Sequence, residues 1–251
     1  MTVPRLVLDH IRKAFNGLDV LADISLSVPA GQFVSILGPS GAGKSTIFKL
    51  LTGGLAADGG EIRFDGKPLP PKTRPFAFMP QHDALMPWRR IIDNTTLGLE
   101  VEGMTKQAAR ARVAPLFAEF GLGGFEQHYP AQLSGGMRQR AALLRTVVQN
   151  RDMLLLDEPF GALDALTRTQ MQLWLETMWE RHRWTVLLIT HDMREAVLLS
   201  DRIYVLTGRP ARVLREIEVP LPRPRRVSAE ASAIEADILE SLLLPQTEQR
   251  S

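Results

Sequence analysis

The sequence predicts an α/β protein with a parallel sheet, a small antiparallel β-subdomain on one flank and an inserted α-helical subdomain. Three observations predict this arrangement. Apolar runs end in glycine-rich or polar turns, short alternating stretches lie on both sides of the first run, and the middle of the chain has a helical period. Open parallel sheets bind ligands at the carboxyl ends of their strands, so we expect a site in the turns after these runs.

Three apolar runs are the expected strands of the parallel sheet. They span residues 32–37, 153–156 and 185–190, and they are followed by Gly38, Asp157 and His191. A helix from Lys44 to about Leu51 is expected after the first run. Because the carboxyl ends of parallel strands meet at one edge, the three turns are expected to share that edge.

The other segments complete the predicted domain. Residues 6–10, 24–28 and 60–65 alternate between apolar and polar side chains, which predicts the antiparallel flank. Residues of about 84–149 are expected to form the helical insertion within a nucleotide-binding domain of residues 1–220.

Residues 221–251 are expected to form a C-terminal tail. We expect a solvated linker that carries Arg223, Arg225 and Arg226, then a short packing helix that Ser228 caps and that runs through Leu244.

Composition excludes several classes of protein. The 251 residues include no cysteine, which rules out disulfide frameworks, thiolate zinc sites, iron–sulfur clusters and cysteine nucleophiles. Thirty basic and 28 acidic residues give a formal charge of +2, which does not indicate a nucleic-acid surface. The sequence has neither a signal-peptide pattern nor an apolar run long enough to span a membrane, so we expect a soluble or peripheral protein.

A phosphate-binding loop is the strongest motif in the chain. The G-x-x-x-x-G-K-[ST] pattern is formed by Gly38, Pro39, Ser40, Gly41, Ala42, Gly43, Lys44, Ser45 and Thr46. Glycines let backbone N–H groups surround a triphosphate closely, Lys44 supplies a charge at the β- and γ-phosphates, and Ser45 offers a hydroxyl to Mg²⁺. The alternative is a glycine turn that caps an ordinary helix, but two glycines, a lysine and a hydroxyl at this spacing rarely arise by chance.

Two adjacent carboxylates follow the second strand. Asp157 can hold Mg²⁺ through its water shell, and Glu158 can polarise the attacking water. Two carboxylates side by side are costly without a cation, which favours a metal–phosphate site over an ordinary acidic turn.

A second anion-binding helix terminus is expected at residues 133–139, Leu-Ser-Gly-Gly-Met-Arg-Gln. One loop already accommodates the triphosphate, so a second such terminus suggests two chains that complete each other's nucleotide sites. The alternative is an ordinary serine N-cap followed by glycines.

Taken together, these motifs resemble those of the ATP-binding subunits of ABC transporters over about residues 5–220. The resemblance implies a P-loop NTPase, RecA-like fold that uses ATP and Mg²⁺. The motifs stand in the family's order: Walker A at 38–46, Gln81 of the Q-loop, the signature at 133–139, Walker B ending at Asp157 with Glu158 beside it, the D-loop with Asp164, and the switch residue His191.

The resemblance also implies roles for individual residues. Gln81 contacts Mg²⁺ and the attacking water, and His191 contacts the γ-phosphate. Phe15 stacks on adenine with Val20 behind it, against the alternative that Phe15 is a core residue. The family's contacts to the partner's ATP are carried by Ser134, Gly135, Gly136 and Gln139.

The segment from Gln81 to Trp88 resembles that of importers for nitrate, sulfonate, taurine, bicarbonate or pyrimidine precursors. This implies a homodimer on the cytoplasmic face of the membrane, an integral-membrane permease docked at Leu85–Trp88, an extracytoplasmic solute-binding protein and no nucleic acid. The alternative for Trp88 is packing inside the helical lobe. Rival functions are a non-transport ABC ATPase acting on nucleic acid, an exporter subunit and a P-loop kinase.

Overall fold

The structure is a computed structural model that describes residues 3–69 and 75–243. The chain divides into two compact units: unit 1 comprises residues 1–74 and 176–251, and unit 2 comprises residues 75–175. Unit 2 contains the predicted helical insertion and adds strands on both sides of it. The domain limits drawn from the sequence therefore stay a prediction.

The first part of unit 1 carries the antiparallel flank and the first strand of the parallel sheet. Its elements are β1 (Leu6–Phe15), β2 (Leu18–Val28), β3 (Phe33–Leu37), α1 (Lys44–Thr52), β4 (Gly59–Phe64) and β5 (Lys67–Pro68). Strand β1 pairs antiparallel with β2 and β4, as the alternating pattern predicts. Every residue of β3 is buried, which explains its continuous apolar sequence.

Unit 2 consists of two parallel strands and the helices between and after them. Its elements are β6 (Phe76–Met79), α2 (Ile91–Thr95), α3 (Leu97–Val101), α4 (Lys106–Val113), α5 (Leu116–Glu119), a 3-10 turn (Pro130–Gln132), α6 (Gly135–Val147), β7 (Met153–Asp157) and the start of α7 (Ala165–His182). Met79 is in register with Leu156, so β6 and β7 end together. Gln81 and Glu158 both follow that common edge.

The second part of unit 1 completes its sheet with β8 (Val186–Thr190), α8 (Met193–Leu199), β9 (Arg202–Leu206), β10 (Ala211–Glu218) and α9 (Ala229–Leu243). The strand order within this unit is β5-β4-β1-β2-β10-β9-β3-β8. Strand β3 lies parallel to β8 and β9, with Leu37 in register with Thr190. The turn after β3 therefore lies at the same edge as His191.

The C-terminal segment departs from the prediction. The expectation of a solvated linker is wrong at Arg223 and Arg225, whose side chains are 10% and 4% exposed, and holds at Arg226, which is 60% exposed. The Arg225 side chain donates to the carbonyls of Leu221, Val197, Ser200 and Val219. The buried carboxylate of Glu176 accepts from the backbone N–H of Arg225 at 2.7 Å and lies 3.5 Å from the Arg223 guanidinium. Sequence reasoning missed these contacts because they join residues far apart in the chain.

Helix α9 packs as predicted. Ser228 Oγ accepts from the N–H of Ala231 at 3.2 Å, which confirms the cap. Ala231 and Ile238 are buried in one cluster with Val197, Val205 and residues of neighbouring strands. The helix is described as far as Leu243, and Leu244, where its predicted end lies, is outside the described residues.

Candidate functional site

The glycine-rich turn between β3 and α1 depends on a left-handed residue at Gly43, whose φ is +77°. A Cβ on Gly43 would lie 2.7 Å from Leu21 Cδ2, so that side chain would have to shift. The carbonyl of Gly43 accepts from the N–H groups of Thr46 and Ile47 at 2.9 and 3.2 Å. Glycine alone adopts this backbone without strain, which gives the sequence motif a local physical cause.

Lys44 is held over the same turn. Its side chain is buried, and Nζ donates to the carbonyls of Gly38 at 2.7 Å and Pro39 at 2.9 Å. These bonds fix the ammonium group beside the backbone of the loop. A fixed positive charge next to a helix N-terminus attracts phosphate.

The first turn of α1 adds two features that suit a phosphate ligand. It contains no acidic residue, and within the described part of the chain no side chain caps its N-terminus. Ser45 is exposed in this turn, where its hydroxyl can serve as a metal ligand. The residues predicted for phosphate binding, 38–46, thus form one continuous turn and helix start whose chemistry suits an anion.

His191 follows β8 at the edge where the turn after β3 begins. The next residue, Asp192, accepts from the N–H of Glu195 at 3.2 Å, and Thr190 Oγ1 accepts from the N–H of Asp192 at 3.0 Å. Asp192 is therefore the N-cap of α8. These bonds fix the backbone on both sides of His191.

Phe15 and Val20 lie at the turn between β1 and β2. Phe15 is 40% exposed, so the alternative of a core phenylalanine is wrong. Val20 Cγ1 would lie 3.2 Å from a Cβ on Gly43, which places Val20 against the phosphate-binding turn. An exposed ring and this turn are thus parts of one surface of unit 1.

In unit 2, Gln81 and Glu158 come together after β6 and β7. Gln81 Nε2 donates to Glu158 Oε2 at 3.4 Å. Glu158 has a φ of +43°, an uncommon conformation for a residue other than glycine, and it turns the chain directly after β7. Asp157 is the last residue of β7, so a second carboxylate lies at this strand end.

The signature segment forms the N-terminus of α6. Ser134 is exposed and caps the helix by accepting from the N–H of Met137 at 3.3 Å. A Cβ on Gly135 would lie 3.1 Å from Leu163 Cδ2, and one on Gly136 would lie 3.1 Å from Thr167 Cγ2. The two glycines thus allow α6 to approach the segment that contains Asp164, whose carboxylate accepts from the N–H of Thr167.

Gln139 does not share the surface of Ser134. It is 4% exposed and lies in the wall of a small, mainly apolar cavity with Met171 and Trp174. Of the four predicted signature residues, Ser134 and Gly135 reach the surface, Gly136 is buried against α7, and Gln139 points into unit 2.

Trp88 lies in a loop that one buried amide organises. Asn94 Oδ1 accepts from the N–H of Met86 at 2.7 Å, and Asn94 Nδ2 donates to the carbonyls of Met86, Arg89 and Arg90. Trp88 is 74% exposed, so the alternative of packing inside the helical lobe is wrong. A fixed loop that exposes an indole ring is suited to contact with another molecule.

Sequence reasoning missed two further contacts at these motifs. Arg209 Nε donates to the carbonyl of Gly41 at 2.7 Å. Asp83 accepts from Arg138 Nε at 3.2 Å, which joins the segment after Gln81 to the signature helix. Both pairs are far apart in sequence, so no local pattern could have indicated them.

The donor set suits a metal ion that arrives with its phosphate ligand. Among the described residues, no three His, Asp or Glu side chains form a cluster that could hold a metal. Mg²⁺ commonly takes one or two protein ligands beside phosphate oxygens and water. Ser45 at the start of α1 and Asp157 at the end of β7 each offer one oxygen ligand of that kind.

Comparison with protein families decides between the classes that use such a loop. The profile of the family described as "ABC transporter" matches residues 21–161, which include both the phosphate-binding turn and the signature. This chain belongs to the ABC transporter family. The predicted α/β P-loop fold is confirmed, and none of the described helices has the length and apolar character needed to cross a membrane.

Two relatives of this ABC protein are named as import subunits. It is 44% identical to the aliphatic sulfonates import ATP-binding protein SsuB of Pectobacterium atrosepticum, over 96% of this chain and 88% of the relative. It is 41% identical to the formylaminopyrimidine import ATP-binding protein ThiZ of Halalkalibacterium halodurans, over 89% and 90% of the two chains. The predicted importer branch is confirmed as the group of proteins that this chain resembles.

Solved structures of related cassettes have the same fold. The dimeric bacterial ABC transporter cassette MJ0796 superposes with a TM-score of 0.73 at 29% identity, over 86% of this chain and 100% of that one. The same cassette in a dimeric post-hydrolysis state with ADP and Pi has the same TM-score at 28% identity. The prediction that this ABC protein is an ATP-hydrolysing enzyme is confirmed.

Proposed function

We propose that this ABC protein hydrolyses ATP as the energy-coupling subunit of an importer for a small solute. The observation that carries the proposal is the exposed Trp88 on a loop fixed by Asn94, seven residues after Gln81. A rigid loop that joins a catalytic residue to an exposed aromatic ring can transmit the state of the nucleotide to a bound partner. Aromatic residues of this kind are common anchors of protein interfaces.

The phosphate-binding residues of unit 1 are proposed to hold MgATP. The backbone of residues 38–43 and the N-terminus of α1 receive the phosphates, Lys44 neutralises their charge, and the Ser45 hydroxyl joins the Mg²⁺ shell. Phe15 would stack on adenine, with Val20 behind it.

The residues at the strand ends are proposed to carry out hydrolysis. Glu158 accepts a proton from the water that attacks the γ-phosphorus, the bond from that phosphorus to the β,γ-bridging oxygen breaks, and ADP leaves. Gln81 orients the attacking water through its carboxamide. Asp157 contacts the Mg²⁺ shell, and His191 donates to the γ-phosphate as negative charge is redistributed.

Hydrolysis is proposed to require two copies of the chain. The related cassette MJ0796 is dimeric, and the exposed Ser134 with the half-buried Gly135 at the N-terminus of α6 is suited to an anion from outside unit 2. Gly136 permits α6 to pack closely against α7, which leaves Ser134 and Gly135 at the surface. Asp164 fixes the loop before α7 by accepting from the N–H of Thr167. We propose that Gln139 supports α6 from inside the unit, which replaces the direct nucleotide contact that the resemblance implied.

The finer identity of the transport system also belongs to the proposal. By similarity to the sulfonate and formylaminopyrimidine import subunits, the solute is a small polar compound such as a sulfonate or a pyrimidine precursor. We place the chain on the cytoplasmic face of the membrane, with a permease at the Trp88 loop and a solute-binding protein on the opposite side. Nitrate, taurine and bicarbonate remain candidate solutes.

Affinity purification from detergent-solubilised membranes tests this function. We expect a multi-span permease to copurify, and we expect a candidate solute with its binding protein to stimulate ATP hydrolysis. A parallel preparation of Glu158→Gln should recover the same permease with the hydrolysis lost, which controls for contaminating ATPases. Recovery of nucleic acid or of a soluble complex, without a permease, would overturn the proposal.

A further inference from the structure

Asp58 anchors the end of β1 at three points. Its backbone N–H donates to the carbonyl of Arg12 at 2.9 Å, Oδ2 accepts from the N–H of Ala14 at 2.7 Å, and Oδ1 accepts from Lys13 Nζ at 2.7 Å. The Ala14 N–H and then the Lys13 ammonium group lower the pKa of the Asp58 carboxyl. Asp58 is therefore a charged anchor for the residues directly before Phe15.

The anchored lysine lies over the ring of Phe15. Lys13 Nζ is 5.5 Å from the ring centroid, within the range of a cation–π contact, and the lysine side chain is 14% exposed. Phe15 itself remains 40% exposed. One face of the ring thus has a cation held against it by Asp58, while a substantial part of the ring remains accessible for stacking.

The ring also lies at a suitable place relative to the phosphate-binding turn. Lys13 is in register with Leu21, and Leu21 is the side chain that a Cβ on Gly43 would meet at 2.7 Å. The end of β1 is therefore one strand away from the backbone expected to receive the triphosphate. A base that stacks on Phe15 and phosphates that bind at residues 38–46 can belong to one nucleotide.

We propose that Asp58 and Lys13 are positioning residues for the base of ATP. Asp58 holds Lys13 and the Ala14 N–H in place, and these two contacts set the orientation of the Phe15 ring. A cation against one face also draws π-electron density away from the other, which favours stacking with an electron-rich purine. The inference rests on the proposed role of Phe15 in nucleotide binding and extends it to residues outside the phosphate motif.

The test compares ATP with a ligand that has no base. For the full-length chain, we would measure kcat and KM for MgATP, and the inhibition constant of magnesium tripolyphosphate against ATP hydrolysis. We expect Asp58→Asn and Lys13→Met to raise KM for ATP by about threefold to tenfold, in the range expected when base stacking is weakened, with kcat retained. The tripolyphosphate inhibition constant should not change.

Asp65→Asn is the matched control. Asp65 also forms an ion pair in the β-subdomain, with Arg5 Nε at 3.3 Å, but it lies at the other end of β4. The KM of the Asp65→Asn variant for ATP should equal that of the unsubstituted chain. Thermal unfolding of each variant separates lost nucleotide affinity from lost fold, and Lys13→Met provides a second test if Asp58→Asn folds poorly.

Two outcomes would overturn the inference. Equal weakening of ATP and tripolyphosphate would mean that Asp58 supports the phosphate site and not the base. An unchanged KM in Asp58→Asn and Lys13→Met, alongside a raised KM in Phe15→Ala, would leave the role of Phe15 intact and remove the two positioning residues. No effect of Phe15→Ala would instead overturn the proposed adenine contact itself.

A double-variant cycle gives the sharpest readout. If Asp58 acts through the ring, Asp58→Asn should raise KM little or not at all in a Phe15→Ala background. Independent, multiplicative effects of the two substitutions would contradict the inference, because they would show that Asp58 acts on the nucleotide by another route.

Discussion

The glycine-rich turn of unit 1 and the proposed catalytic pair of unit 2, Gln81 and Glu158, are fixed to very different degrees. Lys44 is 5% exposed, and its ammonium group donates to the carbonyl of Gly38 at 2.7 Å and to that of Pro39 at 2.9 Å, six and five residues away. Gln81 is exposed and reaches Glu158, 77 residues away, through one long bond of 3.4 Å. The turn is a local, pre-formed structure, whereas the pair depends on residues that distant parts of the chain bring together.

This difference suggests how binding and hydrolysis are separated. A pre-formed turn can bind the phosphates without rearrangement, because its backbone and lysine are already in position. A long, exposed hydrogen bond can be exchanged at low cost, so the contact of Gln81 with Glu158 is easier to rearrange than the contacts of Lys44. We therefore expect substitutions in the two regions to have separable effects on nucleotide binding and on hydrolysis.

Glu158→Gln should have the largest effect. Removing the carboxylate removes the proposed proton acceptor, so we expect hydrolysis to fall by about 10²–10⁴-fold. The phosphate-binding turn is unchanged, so ATP should still bind and hold two chains together. Size-exclusion chromatography with MgATP and a steady-state ATPase assay measure both results.

A monomeric Glu158→Gln protein that binds ATP normally would contradict the expected dimer. Loss of ATP binding in this variant would contradict the separation of nucleotide binding from hydrolysis, because the carboxylate would then contribute to binding the nucleotide. Asp152→Asn is the matched control. It removes an exposed carboxylate just before β7 and should leave hydrolysis unchanged.

Lys44→Ala should reduce hydrolysis by about 10²–10³-fold, because it removes a fixed charge from the reacting phosphates. Unlike Glu158→Gln, it should also weaken ATP binding, which isothermal titration calorimetry measures directly. Lys49→Ala is the control, because Lys49 is exposed in the last turn of the same helix. It should leave both ATP hydrolysis and ATP binding unchanged. Normal ATP affinity in Lys44→Ala would mean that the turn binds phosphate without its lysine.

The same contrast explains what the sequence could predict about the site. Residues 38–46, 133–139 and 157–158 could be identified because each motif is a short stretch with one local signal, which is the glycines in the first two and the adjacent carboxylates in the third. The contact of Arg209 with Gly41 and that of Asp58 with Lys13 were not, because each joins segments that only the folded chain brings together. Local backbone chemistry leaves a pattern in sequence, whereas long-range hydrogen bonds do not.

The fold was predictable to a similar extent. The buried strand β3 and the alternating flank follow from residue patterns, and so does the cap of α9 at Ser228. The burial of Arg225 was missed because arginines among prolines are typical of solvated linkers. Four backbone carbonyls accept hydrogen bonds from this guanidinium. None of the four belongs to a residue pattern that sequence reasoning could have recognised.

Arg225→Met tests whether the C-terminal segment helps to make unit 1 rigid. Burial lowers the pKa of Arg225 to about 10, so the charge is costly and its hydrogen bonds must offset that cost. Leaving the four carbonyls without their donor should lower the free energy of unfolding by about 3–5 kcal/mol, measured by urea denaturation. Arg226→Met, at a side chain that is 60% exposed, should cost less than about 1 kcal/mol.

Equal stability of the Arg225→Met and Arg226→Met proteins would contradict this account of the segment. A stable Arg225→Met protein would mean that the apolar packing of α9 alone holds the C-terminal segment in place. If Arg225→Met lowers the free energy of unfolding but leaves kcat unchanged, Arg225 stabilises unit 1 and has no part in catalysis.

Trp88→Ala should have the smallest of these effects, and it concerns the partner instead of the nucleotide. An exposed anchor worth about 1.4 kcal/mol corresponds to a tenfold change in affinity, so about tenfold less permease should copurify. Leu243→Ala is the control, because that side chain is similarly exposed at the end of α9. Equal permease recovery from both variants would remove Trp88 from the interface. Lower recovery from Trp88→Ala alone would mean that the loop fixed by Asn94 forms part of the interface with the membrane partner.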